Sequence, residues 1–274
     1  MNTVTLCKII VDKLESNCDQ LSKQFFAHNI NTSTKFFILD DLLPEQVTLD
    51  IYENYPNKDT YNFSDTFRER KFTFSNLDSL ENPIVDNITN AFQMDSVVKV
   101  VERITKIHHL ESDNSLYAGG ISRMDLGHFL NPHIDNSHDA NRIKYRRLNL
   151  LYYVTPETQE SDGGNFELWD KKVINPLKIP SKFNRLVVME TTKHSWHSVD
   201  HICSNIERCC VSNYFFSNNS PENYEYYHVT SFLGRPDQRL TRVYGVLDNF
   251  LRNTFVKIIG ISRGKKLMRT PKKD

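Results

Sequence analysis

Apolar residues recur at helical spacing near the start of the chain. The intervals predict one amphipathic helix over about residues 4 to 28, with an apolar stripe of Ile10, Leu14, Cys18, Leu21 and Phe25. A short apolar run over 35–39 then predicts a strand. Pro44 followed by Glu45 predicts the start of a helix that ends before Pro56. The N-terminal part is therefore predicted to be mainly helical.

Helical spacing returns twice later in the chain. Two helices are predicted after Pro83, with a break near Asp95, whereas the polar and aromatic residues 57–80 follow neither a helical nor a strand period. After Pro236 the spacing predicts a last helix, and we expect its apolar stripe to be buried: Leu240, Val243, Leu247, Phe250 and Leu251.

Between these helical parts the pattern changes to short apolar runs separated by Gly, Pro, Asn and Asp. The runs lie at 148–154, 165–169, 185–190 and 208–216, and Asp162-Gly163-Gly164 supplies a turn between two of them. Such short strands indicate an antiparallel sandwich or barrel. We therefore expect one α+β domain over 1–274, with a mainly helical N-terminal layer at 1–110, a β core at 115–218, and a C-terminal helix with a basic tail at 219–274.

Composition narrows the function. Lys plus Arg and Asp plus Glu number 34 each, so the net charge of zero argues against a nucleic-acid partner. No signal peptide and no apolar stretch long enough to span a bilayer is evident, and we expect no membrane partner. Five cysteines without a C-x-x-C pair indicate reduced thiols. The predicted location is the cytoplasm, and the sequence leaves the oligomeric state open.

Candidate chemistry begins with His133-Ile134-Asp135. Side chains two apart on a strand project from the same face, so this imidazole and carboxylate would supply two metal ligands. A third ligand would come from a downstream histidine, for which His194, His197, His201 and His228 are candidates. We favour His197, because it follows the apolar strand 185–190 after a short turn.

Two histidines and one carboxylate leave open positions on a metal, the arrangement of non-haem Fe(II) oxygenases. Arg208, eleven residues after His197, begins a strand and could hold a carboxylate bidentately. Alternation on the strand from Arg147 to Tyr153 would place Arg147, Asn149 and Tyr153 on one face, where the Tyr153 phenol could bond the same carboxylate.

Several stretches together resemble the iron(II)/2-oxoglutarate-dependent dioxygenases, most closely the prolyl hydroxylase-like branch. The stretches occur in the family's order and cover about 100 residues: Leu126–Asp135, Arg147–Val154, Asp162–Trp169, Phe183–Val188, Ser195–Val199 and Arg208–Phe216. The resemblance implies a double-stranded β-helix, or jelly roll, with N-terminal helices packed on it. It also implies Fe(II) on His133, Asp135 and His197.

The resemblance further implies that 2-oxoglutarate binds Arg208 and Tyr153, and that O₂ oxidises the substrate with release of succinate and CO₂. One departure concerns the serine that relatives place two residues after the basic residue, because Cys210 stands there in this chain. We expect Ser212 or Tyr214, on the same strand face, to take over that contact.

Substrate predictions rest on fewer residues. Arg123 or Met124 stands where several prolyl hydroxylases have a tyrosine, which favours a polar small molecule over peptidyl proline. Arg123, Arg147 and Asn149 are candidate substrate contacts. We expect the segments 61–74 and 224–236 to form lids. The alternatives are a hydroxylase of a protein residue, a catalytically idle β-helix that binds a ligand, and a cupin-like metal enzyme that does not use 2-oxoglutarate.

Overall fold

The computed structural model describes residues 1–113, 115–117, 119–222 and 224–259, with side chains described up to residue 254. The predicted basic tail lies outside the described residues. No helix among the described residues is both long enough and apolar enough to cross a membrane.

The N-terminal layer has two helices where the sequence pattern predicted one. They are α1 (Thr3–Ser16) and α2 (Cys18–Phe26), separated at Asn17. The Asn17 side chain donates to the carbonyl of Lys13 at 2.8 Å, a local bond that competes with helix continuation. The predicted stripe is nevertheless correct in its main positions, because Ile10, Leu14 and Phe25 are fully buried.

The remaining N-terminal elements match the predicted positions. Strand β1 (Phe36–Asp40) and helix α3 (Glu45–Glu53) are followed by two helices that break before Asp95: α4 (Ile84–Gln93) and α5 (Asp95–Thr105). The unassigned stretch between them forms a hairpin of β2 (Asn62–Asp65) and β3 (Glu69–Phe74). This hairpin joins the β core rather than the helical layer.

The β core is one strongly curled antiparallel sheet. Its further strands are β4 (Glu111–Ser112), β5 (Gly120–Met124), β6 (Phe129–Ile134), β7 (Tyr145–Tyr153), β8 (Phe166–Trp169), β9 (Pro176–Ile179), β10 (Arg185–Glu190), β11 (His197–Val199), β12 (Arg208–Ser217) and β13 (Ser231–Phe232). The strand order is β1-β10-β7-β12-β5-β3-β6-β11-β8-β9, with β13 paired to β6, β2 to β3 and β4 to β12. The predicted α+β jelly roll is confirmed.

Alternation along β7 divides the core into two layers. Leu148, Leu150 and Tyr152 pack against the N-terminal helices. Leu151 and Tyr153 point the other way and pack against β8 and β10 inside the curled sheet. The helices therefore cover the outer face of one half of the sheet, and the inner face is left to enclose a site.

The edge strand β1 is fixed to β10 by charge as well as by its ladder. Arg185 donates from Nε to Asp40 Oδ1 at 2.6 Å and from Nη2 to Oδ2 at 2.9 Å. These hydrogen bonds are the main reason that the pKa of Asp40 is lowered.

The last helix, α6 (Arg239–Ile259), forms where it was predicted, but its orientation is the reverse of the expected one. Leu240 is 87% exposed and Phe250 is 68% exposed, and the other residues of the predicted stripe are exposed as well. The prediction of a buried stripe was wrong, because this helix packs on the body through polar side chains.

Candidate active site

Two adjacent strands bring the three predicted metal ligands together. His133 lies near the end of β6, His197 begins β11, and the two residues are paired partners across the ladder. Asp135 follows β6 directly. Its carboxylate oxygens lie 3.8 Å from His133 Nε2 and 3.7 Å from His197 Nε2. The three ligand atoms lie within 4.8 Å of one another, close enough to share one metal ion.

Backbone carbonyls fix both imidazole rings. His133 Nδ1 lies 3.0 Å from the Asn131 carbonyl, and His197 Nδ1 lies 2.9 Å from the Ser195 carbonyl. Because a carbonyl only accepts, each Nδ1 carries a proton, which leaves Nε2 of each ring as the nitrogen that can bind a metal. Burial, followed by the neighbouring His197, lowers the pKa of His133 to about 3, so this imidazole is neutral at ordinary pH.

The carboxylate of Asp135 is held by a buried arginine. Burial alone would raise the pKa of Asp135, but neighbouring groups, with the charge of Arg146 foremost, lower the pKa to about 2. Arg146 Nη1 lies 3.3 Å from Asp135 Oδ2, and Arg146 Nη2 donates to Asn136 Oδ1 at 2.7 Å. The guanidinium also lies 4.1 Å above the ring of Tyr214. Asp135 is therefore ionised and oriented.

Arg208 is a buried cation without an acidic partner among the described residues. It is 4% exposed, and its Nε donates to the Gly164 carbonyl at 2.6 Å and to Ser181 Oγ at 2.9 Å. Its terminal nitrogens have only a weak contact, 3.6 Å from Nη1 to Met124 Sδ. A buried guanidinium is costly unless it is paired, so this geometry fits an anionic ligand.

The other predicted 2-oxoglutarate contacts divide into two groups. Ser212 and Tyr214 line the same cavity as Arg208, because side chains two apart on β12 share a face. Tyr153 does not line the cavity. Its ring lies 4.9 Å from the Arg208 guanidinium and its hydroxyl is buried near Ser181. Tyr153 therefore contacts Arg208 from outside the cavity.

A β-bulge changes which arginine of β7 faces inward. On β12, Phe215 pairs with Leu148 but Phe216 pairs with Arg146, so one extra residue, Arg147, is inserted in β7. Arg146 and Asn149 consequently line the cavity. The expected shared face of Arg147 and Asn149 does not form, because strict alternation fails at the bulge.

Two predicted substrate contacts lie away from this cavity. Arg147 does not line it and instead donates to the Asn219 carbonyl at 3.0 Å, with Glu190 3.9 Å away. Arg123 also lies outside the lining and pairs with Asp125 and Glu207. Asn149 is the predicted substrate contact that the cavity includes.

The cavity over the metal ligands has a volume of about 470 Å³. One wall comes from β12 and β7, and another from the β2–β3 hairpin, so the segment predicted as a lid does reach the site. The second predicted lid contributes Thr230 and Phe232. The Phe232 ring stacks on His133 with centroids 5.1 Å apart. Residues from both predicted lid segments thus line the cavity that contains the metal ligands.

Sequence reasoning missed several charged residues of the cavity. Glu69 and Lys71 project into it from β3 and are 3.0 Å apart, and Arg252 reaches it from α6. The hairpin has no clear alternation to reveal them, although Lys71 lies within the segment expected to form a lid. The sequence pattern did not place Arg146 in the cavity either, because the bulge beside it cannot be predicted from the sequence.

The alternative third ligands lie elsewhere. Among the described residues, the cluster able to hold a metal contains His197 and neither His194, His201 nor His228. The His201 ring stacks on Phe129, with centroids 4.8 Å apart. The choice of His197 agrees with this geometry.

The donor set suits iron. Two imidazoles and one ionised carboxylate, all buried, form the ligand type of non-haem Fe(II) sites. Asp135 Oδ2 is buried without a hydrogen-bond donor of ordinary geometry, as expected of an atom that a metal would satisfy. A jelly roll that carries this triad beside a buried, unpaired arginine defines the class of non-haem iron oxygenases that use a dicarboxylate cosubstrate.

Residues 119–216, which include the metal-ligand cluster and Arg208, match the model of the 2OG-Fe(II) oxygenase superfamily. The chain is accordingly a 2-oxoglutarate-dependent dioxygenase, with Fe(II) and 2-oxoglutarate as cofactors and O₂ as oxidant. No curated protein sequence matches the chain.

Solved structures share the fold. A prolyl 4-hydroxylase from Pseudomonas putida is 15% identical with a TM-score of 0.55, over 75% of this chain and 100% of that one. A prolyl 4-hydroxylase structure from Phytophthora capsici is 17% identical with a TM-score of 0.50, over 93% of this chain and 78% of that one. At these identities the likeness establishes the fold and leaves the substrate open.

Proposed function

We propose that the chain hydroxylates an unactivated C–H bond of a polar small molecule that carries an anionic group. In this proposal His133, Asp135 and His197 hold Fe(II), and Arg208 holds the distal carboxylate of 2-oxoglutarate. Bound iron would supply the activation of O₂ that couples decarboxylation of 2-oxoglutarate, to succinate and CO₂, with substrate oxidation. The observation that carries the proposal is the convergence of the triad and an unpaired Arg208 on one cavity.

The protein's own residues prepare the site for that chemistry. The two carbonyl-bound imidazoles and the Arg146-bound carboxylate are oriented before any ligand arrives, which reduces the reorganisation needed on binding. Arg208 is oriented in the same way by its Nε hydrogen bonds, so its two terminal nitrogens remain available for a carboxylate. Phe232 covers one side of His133 and limits access of water.

The convergence also weighs against a catalytically idle β-helix. A protein that binds a ligand without catalysis does not need both a complete set of metal ligands and a separate buried cation in one cavity. Among the described residues, both features are present together.

The size and polarity of the cavity support a small polar substrate. A volume of about 470 Å³ lies in the range of small-molecule sites. The side chains around the metal ligands that are available to a substrate are mostly hydroxyls, amides and charges: Asn62, Ser64, Thr66, Glu69, Lys71, Asn136, Asn149 and Thr230. Lids from two segments bound this space, in keeping with a compact substrate rather than an extended peptide.

Charge supports an anionic group on the substrate. Cations outnumber acids in the lining, which includes Arg68, Lys71, Arg146, Arg208 and Arg252 against Glu69 and Asp135. Arg68 forms an ion pair with Asp248, and Arg146 forms one with Asp135. Lys71 pairs with Glu69, and both lie in the part of the cavity that the β2–β3 hairpin forms. We assign Lys71 as the residue that contacts the substrate anion.

A succinate-release assay tests this proposal. The purified chain with Fe(II), 2-oxoglutarate and O₂ is incubated with a panel of amino acids, sugar acids, sugar phosphates, neutral sugars and proline-containing peptides. We expect succinate release to rise with an anionic small molecule, and Lys71→Gln to raise KM for that compound more than it lowers kcat. Stimulation by the peptides instead would assign a protein substrate and refute the small-molecule proposal.

A further inference from the structure

The C-terminal helix α6 packs on the body of the protein through its polar face. Its inward positions recur at helical spacing, none of them is exposed, and they carry only polar residues or glycine: Thr241, Arg242, Gly245, Asp248, Asn249, Arg252 and Asn253. This is the reverse of an ordinary surface helix, whose apolar stripe faces the core.

Specific contacts fix this orientation. Asn249 accepts from the N–H of Phe232 at 2.9 Å and donates to its carbonyl at 2.7 Å. Asp248 accepts from Arg68 at 2.6 Å. A Cβ at Gly245 would lie only 2.8 Å from the Phe232 carbonyl, so glycine permits the close approach. Rotating the helix to bury its apolar side would break all of these contacts.

The outward face is consequently apolar. Of the sixteen large hydrophobic side chains exposed among the described residues, seven lie on this one helix, each more than half exposed: Leu240, Val243, Tyr244, Val246, Leu247, Phe250 and Leu251. Single exposed apolar residues are common, but a contiguous patch marks a surface that something covers. We call these seven residues the apolar face.

Positive charge accompanies the apolar face. Arg239 is exposed at the start of the helix, and Arg242 donates to the carbonyl of Lys172 at 3.1 Å, which brings the exposed Lys171 and Lys172 beside it. After the helix, residues 261–274 contain six Lys and Arg against one Asp, in a chain whose net charge is zero. A two-fold dimer through the apolar face would bring a second set of these cations to the interface rather than acids to pair with them.

We propose that α6 binds an anionic membrane surface, with the helix lying in the plane of the interface. Apolar side chains on one face with Lys and Arg beside them are the features of helices that bind in this way. The expectation that the chain has no membrane partner rested on the lack of a spanning segment, which a helix lying on the surface does not need. The proposal does not depend on the oxygenase activity.

Vesicle co-sedimentation of the full-length chain tests the proposal. We expect the chain to sediment with vesicles of phosphatidylcholine mixed with phosphatidylglycerol, and much less with phosphatidylcholine alone. Added salt should weaken the binding. The double variant Leu247→Glu with Phe250→Glu should bind at least about tenfold more weakly, because two apolar side chains no longer enter the interface. Ile143→Glu changes an equally exposed apolar residue, 67% accessible, outside the helix and should bind like the wild type.

A charge variant and an oligomer measurement complete the test. Lys171→Glu with Lys172→Glu should reduce binding to the anionic vesicles while leaving thermal unfolding unchanged, because both side chains are exposed. Failure of the wild type to bind anionic vesicles, or unchanged binding by the Leu247→Glu, Phe250→Glu variant, would overturn the proposal. Light scattering that shows a wild-type dimer, converted to a monomer by that same variant, would assign the apolar face to a second copy and overturn it equally.

Discussion

Replacing Arg208 with methionine should remove 2-oxoglutarate binding without weakening the protein in its absence. Methionine keeps much of the apolar volume of the arginine. The carbonyl of Gly164, which would lose the Arg208 donor, still accepts from Ser181 Oγ at 2.6 Å. The variant also removes a buried cation that lacks an acidic partner. We therefore expect its unfolding temperature without cosubstrate to be equal to or higher than that of the wild type.

The loss of affinity follows from the two terminal nitrogens. Each charged hydrogen bond to a carboxylate contributes about 1.5 to 3 kcal/mol, so losing two costs about 3 to 6 kcal/mol, or roughly 10² to 10⁴ in Kd. At 2-oxoglutarate one hundredfold above the wild-type Kd, binding stabilises the wild type by about 2.7 kcal/mol. For a domain of this size that is a rise in Tm of roughly 5 to 10 °C. The variant should rise by about 1 °C or less.

Thermal unfolding with Mn(II) and 2-oxoglutarate measures this effect. Arg147→Met is the matched control, since Arg147 is the neighbouring buried arginine that the bulge directs away from the cavity. It should keep the full 2-oxoglutarate shift. The wild type should show the 2-oxoglutarate shift with Mn(II) and no shift without metal. A metal enzyme that does not use 2-oxoglutarate would show no shift in either case. A full shift in Arg208→Met, or its loss in Arg147→Met, would show that the wrong cation has been chosen.

Three further variants test the surrounding structure. Gly164→Ala should weaken 2-oxoglutarate binding, measured by calorimetry, because residue 164 has a φ of +68° and the new Cβ would lie 2.8 Å from Arg208 Cδ; wild-type affinity would contradict this. Arg235→Ala should lower the free energy of unfolding by about 3 to 5 kcal/mol in urea melts. The reason is that the buried Glu167 carboxylate, which lies 2.7 Å from the Arg235 guanidinium, would lose its cationic partner. A loss under about 1 kcal/mol would contradict the pairing. The pKa of Asp40 is lowered in the folded protein, so its stabilising effect is present above the unfolded pKa and is lost as the pH falls through the folded pKa. Asp40→Asn should therefore lower the free energy of unfolding at neutral pH, and the difference from the wild type should shrink in acid. A constant difference in the free energy of unfolding across the pH range would refute this.

Strand alternation predicted correctly which residues of β12 share a face. Arg208, Ser212 and Tyr214 share the inner face because β12 is regular over these positions, and the period of two is then sufficient. The same reasoning failed on β7, where a bulge exchanges Arg147 for Arg146. A bulge arises from the fit of two strands that are distant in sequence, so neither strand reveals it alone.

The last helix shows a different limit. Its spacing correctly grouped Leu240, Val243, Leu247 and Phe250 on one face, because helical period depends only on local geometry. Which face turns inward depends on the surface that receives the helix. Here that surface offers the backbone groups of Phe232 as hydrogen-bond partners, so the polar face is the one that packs.

The hairpin over the site was the least predictable element. Its inward residues Glu69 and Lys71 are charged and its outward Phe63 is exposed, so the usual rule that apolar residues face inward gives the wrong answer. A strand that lines a polar cavity carries its polar residues inward. This inversion becomes interpretable only once the cavity is known.

Succinate release without added substrate tests the central claim most directly. With Fe(II), 2-oxoglutarate and O₂ the wild type should form succinate slowly, and His197→Ala should form none above the protein-free rate. His194→Ala removes the exposed histidine three residues earlier, which lies outside the metal cluster among the described residues, and should match the wild type. Succinate formation by His197→Ala at the wild-type rate, or its loss in His194→Ala alone, would contradict the assignment of His133, Asp135 and His197 as the iron site.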